Sequence, residues 1–313
     1  MKELHSGIVI RSGGASYIVE DEEGRTIRCR TIPGTVSDNE GASLVAVGDR
    51  VTFKAKASGT DKLEGVITHV DRRSSALIRR RDIRRNRSKE TSQVIASNID
   101  QLVLVTSFDD PPLNRRLIDR YIVFAESEQL PLLIVINKID LDRGGVLEKE
   151  LETYRDLGCR LCLVSASKRT GLEELKDLLA GQLSAFSGHS GVGKSTLINR
   201  LIGRSELKTA RTSYKTGKGV HTTSSAIMIR LPDGGYVIDT PGIREFNLSD
   251  ITKENLRFYF REFLEYMPDC NYTSCSHTVE PGCAVVKAVE SGDIDAERYE
   301  SYLVLLDTLE SES

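Results

Sequence analysis

The sequence predicts a multidomain protein: an N-terminal all-β barrel, a central α/β P-loop domain with circularly permuted motifs, and a C-terminal α-helical zinc-binding module. Three observations carry this reading. Residues 1–71 alternate short β-branched stretches with Gly- and Pro-marked turns, the pattern of a small barrel. Asn137-Lys138-Ile139-Asp140 stands before the phosphate-loop pattern Gly188-His189-Ser190-Gly191-Val192-Gly193-Lys194-Ser195, the reverse of the usual order. Cys270, Cys275, His277 and Cys283 crowd one short stretch, and thiolates with an imidazole are zinc ligands.

A chain of 313 residues is long enough for two or three domains. Hydrophobic residues make up 39% and charged residues 28%, which excludes a membrane-embedded or disordered protein. The net charge of −3 hides an asymmetry: residues 1–100 hold 18 Lys/Arg against 14 Asp/Glu, and the remainder 25 against 32. A basic end on an otherwise acidic chain points to a polyanionic partner. Met1-Lys2-Glu3-Leu4-His5 has no apolar signal core, and no 18-residue apolar run follows, so no membrane association and a cytoplasmic location are expected. In that reducing setting the six cysteines belong to metal sites or the core rather than to disulfides.

Within 1–71, the strands expected are Gly7–Ile10, Ser16–Glu20, Thr26–Arg30, Arg50–Lys56 and Gly65–Val70, separated by Gly13-Gly14, Glu23-Gly24 and Pro33-Gly34. Five short strands fit an OB-fold, with an SH3-like barrel as the competitor that periodicity does not separate. Residues 72–98 read as a linker, and within 72–89 Arg72, Arg73, Arg79, Arg80, Arg81, Arg84, Arg85, Arg87 and Lys89 face a single acid, Asp82. Such a run beside a barrel favours nucleic-acid phosphates.

From 99 to 249 strands alternate with helices, which predicts a parallel sheet covered on both faces. Gln101–Thr106, Leu132–Ile136 and Arg160–Val164 are strands, while Asn114–Ser127 and Leu172–Leu183 have helical apolar spacing. Each motif lies just past a strand's end, where ligands bind in open α/β sheets. In the phosphate loop, Gly188, Ser190, Gly191, Val192 and Gly193 let backbone N–H groups close on phosphate oxygens. Lys194 neutralises the β/γ oxygens, Ser195 offers its hydroxyl to Mg²⁺, and Thr196 starts the helix. Among Asn137, Lys138 and Asp140, the carboxylate can accept from the guanine ring N–H and exocyclic amine. Adenine offers no such pair, so the mismatch discriminates by roughly 10⁴ or more. Ser165-Ala166-Ser167 is the loop that backs it.

Asp239-Thr240-Pro241-Gly242 comes last; there Asp239 can hold a Mg²⁺ water and the Gly242 N–H can sense the γ-phosphate. An ordinary GTPase runs phosphate loop, magnesium threonine, D-x-x-G, N-K-x-D, S-A-x. The order here makes the domain a circularly permuted GTPase, an arrangement that surface-lying termini tolerate. Ile243 occupies the place where a glutamine orients water in Ras-type enzymes. Gly217-Lys218-Gly219-Val220-His221-Thr222-Thr223 falls where the first switch belongs. Thr222 or Thr223 can supply the second Mg²⁺ hydroxyl, and His221 is a candidate for the vacant water-orienting or general-base role.

From 250 to 313, Lys253–Tyr266 and Ala296–Leu309 have helical spacing and flank the cysteine cluster. Three thiolates and one imidazole form a closed tetrahedral zinc set with no open position for chemistry. Cys159 and Cys162 imitate a C-x-x-C but lie at a strand, where residues three apart face opposite ways; they read as core thiols.

Together these features resemble the RsgA (YjeQ/YloQ) family of circularly permuted GTPases acting in small ribosomal subunit maturation. The likeness covers Val47–Val51, Asn137–Asp140, Gly188–Thr196, Gly219–Thr223, Asp239–Glu245, the Cys270/Cys275/His277/Cys283 spacing and the segment Arg298–Leu303. It implies an N-terminal OB-fold, GTP/GDP with Mg²⁺, one structural Zn²⁺, and His221 as the catalytic histidine. It further implies GTP hydrolysis stimulated by the 30S ribosomal subunit, contact with 16S rRNA, a monomer, and a nucleotide state coupled to release or checkpointing. The chain departs from the family's habit at His189 and at Thr31-Ile32-Pro33-Gly34; neither removes a ligand.

Overall fold

The computed structural model describes residues 4–14, 16–39, 43–57, 63–79, 93–203, 226–239 and 251–312. Five strands open the chain: β1 (Leu4–Gly13), β2 (Ser16–Asp21), β3 (Thr26–Ser37), β4 (Arg50–Ala57) and β5 (Leu63–Val70). β1 pairs β2 and β2 pairs β3, both antiparallel; β3 pairs β5 in parallel; β5 pairs β4, and β4 returns to β1. The ladder closes on itself, and the parallel β3–β5 step makes it an OB-like barrel. Long-range pairing therefore separates two barrels that strand periodicity leaves open. Val9, Val19, Ile27, Cys29, Val51, Phe53 and Ile67 fill the interior, each large side chain contributing about 1.5–3 kcal/mol by burial. The alternation of β3 leaves Arg28 and Arg30 on the outside.

The segment 72–98, read as a linker, holds two further strands, β6 (Ala76–Arg79) and β7 (Gln93–Ser97), which pair antiparallel. Leu77, Val94 and Ala96 are buried there, a short apolar signal obscured by the surrounding arginines. Arg73 does not face solvent as the basic run implied. Its Nε and Nη2 donate to the two carboxylate oxygens of fully buried Asp49 at 2.7 and 2.8 Å, and Ser97 Oγ donates to the same carboxylate at 2.6 Å. A buried charge persists only when paired and hydrogen-bonded, so this arginine holds the barrel together. Arg80, Arg81, Arg84, Arg85, Arg87 and Lys89 lie outside the described residues.

The chain continues through β8 (Gln101–Ser107), α1 (Arg115–Ser127), β9 (Leu132–Asn137), α2 (Leu147–Asp156), β10 (Arg160–Leu163), α3 (Leu172–Leu179), β11 (Leu183–Ser187), α4 (Lys194–Leu201), β12 (Ile227–Arg230) and β13 (Tyr236–Asp239). It ends with α5 (Lys253–Leu256), α6 (Ala284–Ser291) and α7 (Ala296–Glu312). Two units result. One comprises Met1–Gln101, Leu175–Ser187 and Ser195–Asn247, the other Leu102–Glu174, Gly188–Lys194 and Leu248–Ser313.

In the first unit β11 and β13 run parallel, whereas β12 is antiparallel to β13. That hairpin adds an antiparallel strand to the parallel sheet expected, because Gly234 and Gly235, both at positive φ, turn the chain straight back. In the second unit β8, β9 and β10 form a parallel sheet, and every residue of β8 is buried. Helix α1 starts at Asn114, whose side-chain oxygen accepts from the Leu117 N–H at 3.0 Å, the usual N-cap bond.

Two helices are shorter than their spacing predicts. Helix α3 stops at Leu179, and Gly181 at φ 69° releases the chain so that Leu183 begins β11. Helix α5 is capped reciprocally by Thr252 and Asn255 but ends at Leu256, giving way to 3₁₀ turns at Arg257–Tyr259 and Arg261–Phe263. Phe260 leaves helical geometry (φ −100°, ψ 91°) and stacks on Phe263, with Tyr302 edge-on to both at 5.2 and 5.0 Å. Burying three rings outweighs the few tenths of a kcal/mol per residue that helix propensity supplies.

The second unit also carries a buried ion cluster. Arg298 of α7, 1% exposed, donates to Asp119 of α1 at 2.9 Å and to both oxygens of Glu262 at 2.7 and 3.1 Å. Tyr154 Oη donates to Asp119 at 3.0 Å. Burial opposes the Arg298 charge, but the Glu262 and Asp119 carboxylates outweigh it and hold its pKa above the ordinary value.

Candidate functional site

Asn137, Lys138 and Asp140 sit on the turn that leaves β9. Asn137 is 2% exposed and acts as a bracket: its Nδ2 donates to the Val192 carbonyl at 2.8 Å, and its Oδ1 accepts from the Ala166 N–H at 3.0 Å. One amide thereby fixes the distance between the phosphate loop and the Ser165-Ala166-Ser167 loop. Lys138 adopts a left-handed conformation, φ 62°, and its ammonium donates to the Asp110 carbonyl. Asp140 is exposed and accepts from the hydroxyls of Ser165 and, at 3.2 Å, Ser167. The Ser165 bond is the main reason its carboxyl lies below the usual carboxylate range. The group is therefore an ionised acceptor at neutral pH, aimed by two hydroxyls, and suited to a pair of N–H donors on a planar base.

The phosphate loop lies beside this turn. Gly188 has φ 140°, and a Cβ there would sit 2.0 Å from the Val105 carbonyl oxygen; at Gly193, φ 90°, it would sit 2.3 Å from Asn137 Nδ2. Only glycine fits either place. Lys194 donates from Nζ to the Gly188 carbonyl at 3.1 Å, so the cation spans the loop it serves. Ser190 and Gly191 are exposed and Val192 is buried. Ser195 is the second residue of α4 and Thr196 the third, within the turn whose N–H groups have no intrahelical partner. Asp239 closes β13 and is 5% exposed. His221, Thr222, Thr223 and Gly242 lie outside the described residues, as does Ile243.

Cys270, Cys275, His277 and Cys283 bring one ligand atom each within 4.8 Å of all the others. His277 points Nδ1 at Cys283 Sγ (3.4 Å) and Cys270 Sγ (3.6 Å). The Ala284 N–H donates to Cys270 Sγ and the Val286 N–H to Cys283 Sγ, each at 3.4 Å. Backbone donors aimed at sulfur are what thiolates need. Burial pushes the Cys275 thiol up to about 12 and, with Arg257, holds His277 neutral. A cation that keeps the sulfurs of half-buried Cys270 and buried Cys275 and Cys283 ionised resolves this, and the set fits zinc. The loop is braced from behind. Burial by itself would raise the Glu280 carboxyl, yet bonds from Ser276 and Thr278 bring it down to about 2, and Tyr299 and Tyr302 donate to the carbonyls of His277 and Ser276 at 2.7 and 2.6 Å. By contrast, Cys159 and Cys162 are free thiols that burial raises to about 11 and about 12.

The family model described as RsgA GTPase matches residues 71–249, more than half of the chain. The chain belongs to the RsgA GTPase family. A relative from Chlorobaculum tepidum, named small ribosomal subunit biogenesis GTPase RsgA, is 70% identical over 309 residues, covering 99% of each chain. One of the same name from Bacteroides fragilis is 38% identical over 312 residues, covering 97% of each. Among solved structures, YjeQ from Thermotoga maritima aligns with a TM-score of 0.72 at 33% identity, covering 98% of this chain and 99% of that one. YloQ, titled a circularly permuted GTPase, aligns with a TM-score of 0.72 at 27% identity, covering 99% and 96%. The RsgA fold thus comprises the OB-like barrel, the permuted GTPase and a C-terminal cysteine cluster able to hold zinc.

The sequence places Ser167 in the loop that backs the base-reading turn without a role of its own, where it shares Asp140 with Ser165, and it gives no role to the loop at Asp110, which takes the Lys138 ammonium. A serine two residues beyond Ser165 was the only visible signal for the first; for the second there was none. In this RsgA chain, Asp140→Asn is expected to weaken GTP by roughly tenfold or more, since a charge-assisted hydrogen bond contributes about 1.5–3 kcal/mol. The variant should in turn favour xanthosine triphosphate, which offers an acceptor where guanine offers a donor. Competition binding of the two nucleotides measures this, and an unchanged preference moves base reading to another residue.

Proposed function

We propose that this protein binds the small (30S) ribosomal subunit and hydrolyses GTP to GDP and phosphate during late maturation of that subunit, with nucleotide state coupled to release or checkpointing. The observation that carries the guanine part is Asp140, an ionised carboxylate aimed by Ser165 and Ser167 and bracketed to the phosphate loop through Asn137. The relatives' name supports the 30S subunit as the partner. The exposed cations of the barrel, Arg28 and Arg30, and the arginine-rich run beyond Arg79 support contact with 16S rRNA phosphates.

Each residue's part follows from its chemistry. Lys194 and the N–H groups of Gly188–Thr196 hold the β- and γ-phosphates. Ser195 and Asp239, with Thr222 or Thr223, would hold Mg²⁺, which neutralises the phosphate oxygens when bound. His221 orients the attacking water or takes its proton, the role that Ile243 leaves open. Cys270, Cys275, His277 and Cys283 would hold a zinc ion that keeps the C-terminal loop in shape, with no open position for chemistry.

Single-turnover GTP hydrolysis with and without 30S subunits tests this reading. His221→Ala is expected to keep nucleotide affinity while lowering 30S-stimulated turnover by about 10²-fold or more, the range of general acid–base catalysis. Equal turnover in variant and parent removes His221 from the mechanism, and no stimulation of the parent by 30S subunits removes the ribosomal part.

A further inference from the structure

Glu20 is the last residue but one of β2. Strand alternation turns Val19 into the barrel and Glu20 outward, yet Glu20 is only 9% exposed, because the β12–β13 hairpin covers it. Tyr236, the first residue of β13, donates its hydroxyl to Glu20 Oε1 at 2.6 Å. Arg230, the last residue of β12, donates to the same oxygen at 3.4 Å. The edge of the barrel also pairs directly with the hairpin, Arg11 of β1 lying opposite Ile227 of β12. The next residue of β2, Asp21, accepts from the Arg25 N–H at 2.8 Å and the Arg25 Nε at 2.7 Å, so the strand end that carries Glu20 is locked by its own turn.

This hairpin is not an ordinary piece of sheet. In the chain, β12 follows closely on Thr222 and Thr223, and β13 runs from Tyr236 straight to Asp239. One end of a four-residue strand is bonded to the barrel and the other end is the Mg²⁺ aspartate of the reading above. A strand this short is a stiff connection, since neighbouring sheet elements shift as units rather than stretch. Apolar packing would have sufficed for simple docking. A nearly buried carboxylate shared by one donor from each strand of the hairpin adds direction, at the expense of desolvating a charge.

We infer that Glu20 and Tyr236 are positioning residues that join the barrel to the β12–β13 hairpin, so that the state of the Asp239 end and the state of the barrel bias each other. The inference rests on the GTPase reading for what binds at Asp239, and the bond itself is independent of any ribosomal partner. Coupling of this kind is reciprocal: if nucleotide alters the barrel, RNA held by the barrel alters nucleotide affinity by the same factor.

The test is amide hydrogen exchange on the full-length protein loaded with Mg²⁺ and either GDP or a non-hydrolysable GTP analogue. Peptides covering β2 and β3 of the parent are expected to differ in protection between the two states by roughly 5-fold or more, the lower end of typical coupling. Tyr236→Phe keeps the ring and deletes only the hydroxyl, and Glu20→Met keeps the chain length and deletes the acceptor. Both should abolish the difference with nucleotide affinity unchanged. Glu20→Gln retains an acceptor oxygen for Tyr236 and should restore it. Barrel protection that ignores nucleotide in the parent, or that responds equally in Tyr236→Phe, overturns the inference. Turnover with and without 30S subunits, measured on the same samples, separates the two claims. A parent that shows the exchange difference but no 30S stimulation refutes the ribosomal function and leaves the connection standing.

Discussion

Lys194→Ala is expected to lower GTP turnover at least about 10²- to 10³-fold, the usual loss when one preorganised charge donor is removed from a transition state. The fold should be unaffected, because the Lys194 bond to the Gly188 carbonyl is not what fastens the loop to its neighbours. Asn137 holds the Val192 carbonyl at 2.8 Å, and Gly188 and Gly193 pack so closely against Val105 and Asn137 that no side chain fits there. On the proposed reading, what the variant loses is the positive charge that would face the β/γ oxygens, where developing charge is greatest. Steady-state kinetics with GTP, together with far-UV circular dichroism to show an intact fold, measure the effect. Turnover at the parent rate in a folded variant would falsify the phosphate-loop assignment.

Removing zinc is expected to have the second largest effect, and on a different part of the molecule. Structural zinc contributes about 10–16 kcal/mol of apparent binding energy in small modules, more than the loop from Cys270 to Cys283, where Tyr272 and Val279 are exposed, can supply by packing. Without the cation, three thiols and an imidazole within 4.8 Å are left with one another and with backbone N–H groups such as those of Ala284 and Val286. The loop from Cys270 to Cys283 should open, and with it the seats of Tyr299 and Tyr302, whose hydroxyls donate to the carbonyls of His277 and Ser276. Near-UV circular dichroism should fade and the unfolding temperature fall when a chelator is added. Guanine nucleotide binding should persist, because the Asp140 turn is fastened by Ser165, Ser167 and Asn137 rather than by the C-terminal helices. Elemental analysis of metal-replete protein that finds no stoichiometric zinc removes the basis for this expectation.

What could be read from the chain was whatever is encoded within a few residues. The phosphate loop, the N-K-x-D turn and the cysteine spacing are local, because each is a backbone conformation or a ligand set complete in itself. Their reversed order was legible for the same reason, and the barrel's strands were legible from alternation alone. Closure of the barrel was not, since it depends on β3 finding β5 in parallel and β4 returning to β1. Arg73 looked like one more cation in a basic run; nothing nearby in sequence announces that Asp49 is its partner. Phe260 and Phe263 carry helical spacing, and they end a helix instead, because Tyr302 waits from a distant segment. Asn137 was read with the base-reading loop, and its amide is spent on bracing two backbones. In each case the deciding contact is long-range, and periodicity does not record it.

The pairing of Asp119 with Arg298 has a consequence for how the protein is made. The two residues are 179 positions apart in the chain, and synthesis runs from the N-terminus at about 5–20 residues per second. Helix α1 therefore leaves the synthesising ribosome roughly 10–35 s before its counter-ion exists. Through that interval Asp119 cannot be buried as an ion without a cation beside it, and the helix face bearing it has to remain wet or loosely packed. Completion of the second unit is thus deferred to the moment the last helix emerges. A nascent chain stalled before residue 298 should be visibly softer around α1 than the finished protein, and cleaved first there by a protease.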